Sequence, residues 1–228
     1  MLATGRPFET IHRRKNGSEF PVEVVGGEIE VEGRTYLQFF VRDISYRKQL
    51  EAELGRLARV QAALRSAASV LMRARTEKDL YQGTCNALVE IGGYRLADVA
   101  LANEDPGRTI RFMAIAGHDD GYLDQTRISW GEGPRSQGPT GGAIRTGEVQ
   151  VNQDFASNAA MAPWREEALR RGLQASIGLP LSAGGRVIGA LTIYAGQPDA
   201  FDREEVAFLV QFAADISYGL DNLRRQKQ

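Results

Sequence analysis

The sequence predicts an α+β fold, with antiparallel sheet flanked by helices and a long heptad-patterned helix on each side of the larger sheet. Three observations carry that prediction. Short runs alternate apolar and polar residues and are separated by turn signals at Asn16-Gly17, Gly33, Asp105-Pro106-Gly107 and Gly184-Gly185, the pattern of antiparallel strands. Two long stretches repeat apolar residues at spacings of three and four. Between them lie shorter helical segments with recognisable start and stop residues.

Residues 1–45 open with three strand-like pieces, "PFETIHRR", "EFPVEVVGGEIEVEG" and "RTYLQFFVRDIS". Asn16-Gly17 is a two-residue hairpin signal, because both residue types tolerate positive φ. Gly33 turns the chain into the third strand, and Phe20, Val22 and Val24 fall on one face. Units near or below about 40 residues rarely fold alone, so this piece reads as the back half of something larger.

A helix over 46–75 follows. From Leu50 the positions Leu54, Leu57, Gln61, Leu64, Ala68 and Leu71 recur at spacings of four and three, with Glu51, Glu53 and Arg56 outside the stripe. An amphipathic helix packed on its own domain gives the same stripe. The intermolecular seam is the expectation, because the period outlasts a typical globular helix of about 11–12 residues.

"TEKDLYQGTCNALVEIGG" predicts a helix capped by Thr76, with Asp79 in its first turn and Gly92-Gly93 at its end. "YRLADVALANED" and "RTIRFMAIAG" predict two strands, and an irregular stretch runs from His118 to Gly138. "EVQVNQDF" is extended, and "MAPWREEALRRGL" is a helix with Pro163 in its first turn and Gly172 at its end. "ASIGLPLSAGGRVIGALTIYAG" is an apolar hairpin. A last helix starts near Asp202, and its Val206, Leu209, Ala213, Ile216, Leu220 and Leu223 again step by three and four, which predicts a second seam.

Composition narrows the function classes. A net charge of -1 over 228 residues offers no field to attract nucleic acid or an acidic membrane. Cys85 is the only cysteine, and His12 and His118 are the only histidines. Disulfide frameworks and thiolate zinc sites are therefore excluded within one chain, and a Cys-His catalytic pair is disfavoured. The absence of a signal peptide or a 20-residue apolar run predicts a cytoplasmic protein.

"GPTGGAIRTGEVQVNQDF", "APWREEALRRGLQASIGLPL", "GRVIGALTIYAG" and "DAFDREEVAFL" fall in an order that resembles a GAF domain over 76–223, with 224–228 as a helix tail. "RRKNGSEFPVEV" with "FFVRDISYRKQLEAEL" resembles the C-terminal part of a PAS domain, and Asp43, Ile44, Ser45 and Arg47 resemble its exit motif. The resemblance implies a bacterial signal-transduction protein of the histidine kinase or diguanylate cyclase type. In that reading the chain is a non-enzymatic input segment and a parallel homodimer whose output domain lies elsewhere. It also implies a small-molecule pocket, with a cyclic nucleotide or another small anion as candidate ligand. Haem and bilin are disfavoured. A dimerising spacer with a vestigial pocket is the alternative.

The stretch "GEGPRSQGPTGGAIRTGE" has the spacing of a phosphate-binding loop, but Pro139 stands at the lysine position. Gly138 as N-cap, Pro139 at the first helical position and Gly147 at the stop instead predict a short helix. Its free N–H groups at Thr140, Gly141 and Gly142 are candidate donors to a ligand anion. Asp154 is a candidate ligand acceptor or a turn cap. Trp164 is a lid or a core residue, and Arg165 an anion partner or a solvated arginine. Trp130, with Ser129, is placed at the pocket mouth. Cys85 is expected to be a small buried residue and His118 a solvated one. GAF-type methionine-sulfoxide reductases depend on several cysteines, which argues against that enzyme class.

Overall fold

The computed structural model describes residues 3–4 and 6–226; side chains at 3–4, 52–53, 56–61 and 63–68 lie outside the described residues. The expected seam positions Leu57, Gln61, Leu64 and Ala68 are among these. The chain forms two compact units, Met1–Ala58 and Arg59–Gln228.

The first unit is a small antiparallel sheet. Its strands are β1 (Ala3–Thr4), β2 (Phe8–Arg13), β3 (Glu19–Val31) and β4 (Arg34–Asp43), and helix α1 (Ser45–Arg73) starts here. The long β3 is central, with β4 along one edge and β2 and β1 sharing the other. Glu32 and Gly33 have φ of 52° and 77°, so these two residues make the tight hairpin turn between β3 and β4. The Asn16-Gly17 signal does not make a two-residue turn. Arg13 pairs with Glu19, leaving a loop over 14–18 in which Asn16 Oδ1 accepts the Ser18 N–H at 3.0 Å. The side chain of Asn16 thus takes a backbone partner and widens the turn. Val22, Val24 and Ile44 are buried. Arg47 pairs with Glu9 at 2.8 Å and Glu23 at 3.2 Å, tying the start of α1 to β2 and β3.

The second unit is an antiparallel sheet between two layers of helix. In chain order it has α2 (Glu77–Glu90), β5 (Leu96–Ala102), β6 (Ile110–Gly117), α3 (Tyr122–Thr126), α4 (Pro139–Thr146), β7 (Gln150–Asn152), α5 (Arg165–Arg170), β8 (Ala175–Ala183), β9 (Arg186–Ala195) and α6 (Arg203–Arg225). Spatial order is β6-β5-β9-β8-β7. The caps follow the sequence. Thr76 and Asp79 form a reciprocal capping box at α2. Asp202 Oδ1 accepts the N–H groups of Glu204 and Glu205 at 2.9 and 2.8 Å.

One face of this sheet carries Ala97, Val99, Ile177, Leu179, Leu191 and Ile193, packed with Leu80, Cys85 and Leu88 of α2 and with α6. Here the second seam expectation is corrected. Leu209, Ile216 and Leu220 are fully buried in this core, and Leu223, with Leu71 at the end of α1, packs against it. A helix lying on a sheet and a helix in a coiled coil both bury a stripe at three-and-four spacing. Over 23 residues the periods 3.5 and 3.6 are not separable. Of the seam residues on α1, Leu50 and Leu54 are 41% and 66% exposed.

A pocket on the polar face of the sheet

The opposite face is built from the alternate residues of the same strands. Register places Asn152, Ser176, Tyr194 and Leu96 in one row across β7, β8, β9 and β5. The next row holds Gln150, Gly178, Thr192 and Asp98. Helix α4 seats on this face at Gly178, where any Cβ would lie 2.3 Å from the Pro139 carbonyl oxygen. Thr140 Oγ1 and Thr192 Oγ1, both buried, are 2.8 Å apart and share a hydrogen bond. Trp164, at the start of α5, donates its indole N–H to the Thr126 carbonyl at 2.8 Å, and its ring edge covers Gly138.

These elements enclose a pocket. Its polar side is formed by Thr140, Ser176 and Tyr194, and its apolar walls by Tyr122, Ile128, Pro139, Phe155, Met161 and Trp164, with Gly138 at the start of α4. The free room is about 20 Å³, enough for one water-sized guest.

The polar face is not fully bonded. Among the described residues, Asp98 Oδ1 and Oδ2, Asn152 Nδ2 and Ser176 Oγ are buried without a hydrogen-bond partner. Asn158 Nδ2 holds Asn152 Oδ1 at 2.9 Å, which leaves the Asn152 amide donor unused. Burial drives the Asp98 carboxyl well above its ordinary pKa, and the Asp119 charge adds to this; the Tyr194 hydroxyl, as a weak hydrogen-bond donor to it, acts the other way. Burial first, and then Asp98, push the Tyr122 and Tyr194 hydroxyls up as well.

Of the candidate ligand residues, the fold brings Thr140 and Trp164 to the pocket and places the others elsewhere. The Gly142 N–H is consumed by the Gly138 carbonyl at 2.9 Å. A Cβ on Gly141 would lie 2.3 Å from the Ser129 carbonyl oxygen, so this glycine serves close packing. Asp154 is a turn cap, accepting the Ala156 N–H at 2.8 Å and the Ser157 hydroxyl at 2.6 Å. Arg165 donates to the carbonyls of Phe155 and Asn158 at 2.9 and 2.8 Å, holding the loop before α5. Trp130 donates to the Asn103 carbonyl at 3.0 Å and packs with Ala143, Ile144 and Ala190, outside the pocket. Its ring carries the Arg108 guanidinium at 4.2 Å. Ser129 Oγ is taken up by the carbonyls of Gly107 and Arg108, both at 3.1 Å.

Sequence reasoning passed over Asp98, Tyr122, Phe155, Met161, Ser176 and Tyr194. For three of these a signal existed. Asp98 interrupts the apolar run "RLADVALA", and Ser176, Thr192 and Tyr194 recur at every second position in strands otherwise apolar. Tyr122 and Leu123 belong to α3, a five-residue helix inside the stretch read as irregular.

Cys85 is buried in α2, in the apolar cluster on the other side of the sheet, and burial pushes its thiol up. His118 is exposed on the loop after β6. Among the described residues no group of His, Cys, Asp and Glu could hold a metal ion. None of their helices is long and apolar enough to cross a membrane.

A five-stranded antiparallel sheet with a helical layer behind it and short helices in front is an α+β architecture of the GAF type. The chain belongs to the GAF domain family, whose profile matches residues 74–221. No curated protein matches the sequence at a significant level. Among solved structures it is similar to a free methionine-R-sulfoxide reductase from Neisseria meningitidis in complex with its substrate. That likeness has 21% identity and a TM-score of 0.60, over 74% of this chain and 92% of that one. It is also similar to the GAF domain of a phosphoenolpyruvate-protein phosphotransferase from Acinetobacter, with 15% identity and a TM-score of 0.56, over 74% and 96% of the two chains. A third is the nlh2 GAF domain of A. aeolicus in an inactive state, with 20% identity and a TM-score of 0.53, over 75% and 98%. At these identities the likeness establishes the fold.

Proposed function

We propose that this chain is the input segment of a bacterial, cytoplasmic signalling protein, and that its GAF domain binds a small molecule without transforming it. The observation that carries the reading is the unpartnered buried atoms at the pocket: Ser176 Oγ, in its lining, and Asn152 Nδ2, opposite Ser176 in the sheet. Each such group left without a partner costs about 1–3 kcal/mol, more where it is charged. A fold that keeps such groups at the pocket, with Ser176 in its lining and Asn152 opposite Ser176 in the sheet, has a use for a guest that completes them.

A regulatory role is supported over a catalytic one by where the nucleophiles lie. The one thiol, Cys85, is behind the sheet, and Ser176 has no histidine or lysine beside it in the pocket lining. Helices α1 and α6 carry the signal. The 1–45 segment is the C-terminal part of a PAS domain, and the exposed Leu50 and Leu54 begin a parallel dimer seam along α1. A ligand changes the output only if it binds two helix arrangements with different affinity. The spacer reading has one observation in its favour, the tightness of the pocket at about 20 Å³.

Native mass spectrometry of the protein purified from its own host tests the proposal. A retained small molecule is expected, and repeatedly bare protein would favour the spacer. Dimerisation is tested separately by light scattering, where Leu54→Glu is expected to shift the mass from dimer to monomer.

A further inference from the structure

Asn152 and Ser176 stand directly opposite each other in the β7–β8 pair, and their exposures are 1% and 0%. Residues so paired in an antiparallel sheet carry their Cβ atoms on one face, about 4.5–5.5 Å apart. Ser176 lines the pocket, and Asn152 is its neighbour on that face.

Hydrogen bonds around Asn152 fix which of its atoms is left over. The Ala160 N–H donates to Asn158 Oδ1 at 3.0 Å. Asn158 Nδ2 in turn donates to Asn152 Oδ1 at 2.9 Å. Flipping either amide would set donor against donor or acceptor against acceptor. Asn152 therefore presents Nδ2, a donor with nothing to receive it, and Ser176 Oγ beside it is also unpartnered. A hydroxyl both donates and accepts, so one acceptor atom between the two would complete both.

Size and charge narrow the guest. The free room of about 20 Å³ exceeds the roughly 10–15 Å³ that one water needs. None of the residues lining the pocket is Asp, Glu, Lys, Arg or His. An anion, the guest expected from the helix start at Gly138, would stay there as an unneutralised buried charge.

We infer that the Ser176–Asn152 pair is a site for one uncharged oxygen. In the ligand-free protein a single water fills it, accepting from Asn152 Nδ2 and bonding Ser176 Oγ. Resting on the reading of the pocket as a ligand site, the sensed molecule replaces this water with a hydroxyl or carbonyl oxygen of its own. Bonds of about 2.8 Å to each side let one oxygen span two opposed side chains. A displacing group without such an oxygen would forfeit both bonds.

Nuclear Overhauser contacts between water and the Asn152 side-chain amide test this in ligand-free protein. A long-lived internal water gives a cross-peak whose sign separates it from brief surface hydration. That cross-peak is expected at Asn152 and not at the exposed Asn16 amide, the internal control. Ser176→Ala is expected to abolish it, because a water needs two or more polar partners to be held. Should that variant not fold, the unaltered protein decides. No cross-peak in the unaltered protein, or one that persists in Ser176→Ala, overturns the inference. Native mass spectrometry keeps the two readings apart. Bare protein that still shows the water contact supports the oxygen site and counts against sensing. A retained molecule with no hydroxyl or carbonyl oxygen overturns the ligand chemistry and leaves the sensing proposal standing.

Discussion

The two faces of the β6-β5-β9-β8-β7 sheet are made by alternate residues of the same strands, and they serve opposite ends. Toward α2 and α6, Val99, Ile177, Leu191 and Ile193 close an apolar layer. One residue along each of β5, β8 and β9, the other face carries Asp98, Ser176, Thr192 and Tyr194, and Asp98 and Ser176 are left without partners. The first face stabilises the domain in proportion to the apolar area it buries. The second stabilises it less, because buried polar atoms without partners there carry a cost. The difference teaches that burial alone does not mark a residue as structural. What separates the faces is whether buried polar atoms find partners inside the fold.

The comparison can be broken most severely from the apolar side. Ile216→Glu places a carboxylate where the side chain is fully buried. It is expected to exceed about 4–5 kcal/mol and abolish the cooperative melt followed by circular dichroism. A folded monomer with a native melting curve would return α6 to the role of an intermolecular seam. Phe212→Ala, in the same layer, should cost about 3–5 kcal/mol in urea unfolding.

On the polar face the sign reverses. In ligand-free protein, Asp98→Asn is expected to stabilise the domain at neutral pH, because the amide cannot ionise and so lacks the cost of keeping the buried acid protonated. Asp98 binds its proton more tightly folded than unfolded, because burial raises its pKa above 3.8. Wild-type stability therefore falls as pH rises from the unfolded value through the folded one, and the asparagine variant lacks that loss. The gap between the two should widen from acid to neutral pH in thermal melts. A destabilised variant at neutral pH would show that Asp98 is satisfied within the fold.

Smaller effects belong outside both faces. Thr76→Ala removes half of the capping box on α2 and should cost about 1 kcal/mol. Arg224→Ala breaks the pair with Glu77 at 3.0 Å, which joins the ends of α6 and α2. Because both side chains are partly exposed, the loss should stay below about 1 kcal/mol and shrink in salt.

Much of this architecture is legible along the chain because its causes are local. Thr76, Asp79 and Asp202 cap where their side chains can reach the next turn. Gly138, Pro139 and Gly147 bound α4, with Gly147 at φ 71°. The site is less legible. Thr140 and Trp164 are found because they sit beside a recognisable helix start. Asp154 and Arg165 look like ligand groups but spend their polar atoms on nearby backbone and on Ser157.

The sequence by itself determined the element order, most helix boundaries and the family, since each depends on short-range periodicity, capping and motif order. Only the tertiary structure decided which side of each stripe faces inward. A three-and-four repeat serves a coiled coil and a sheet equally well, and it was packing on β8 that sent Leu209, Ile216 and Leu220 into the domain core. Strand pairing likewise gathered Asp98, Thr192, Ser176 and Asn152, drawn from four strands, onto one face. Whether a buried polar atom is satisfied depends on neighbours distant in sequence, so the unpaired carboxylate of Asp98 is a property of the fold.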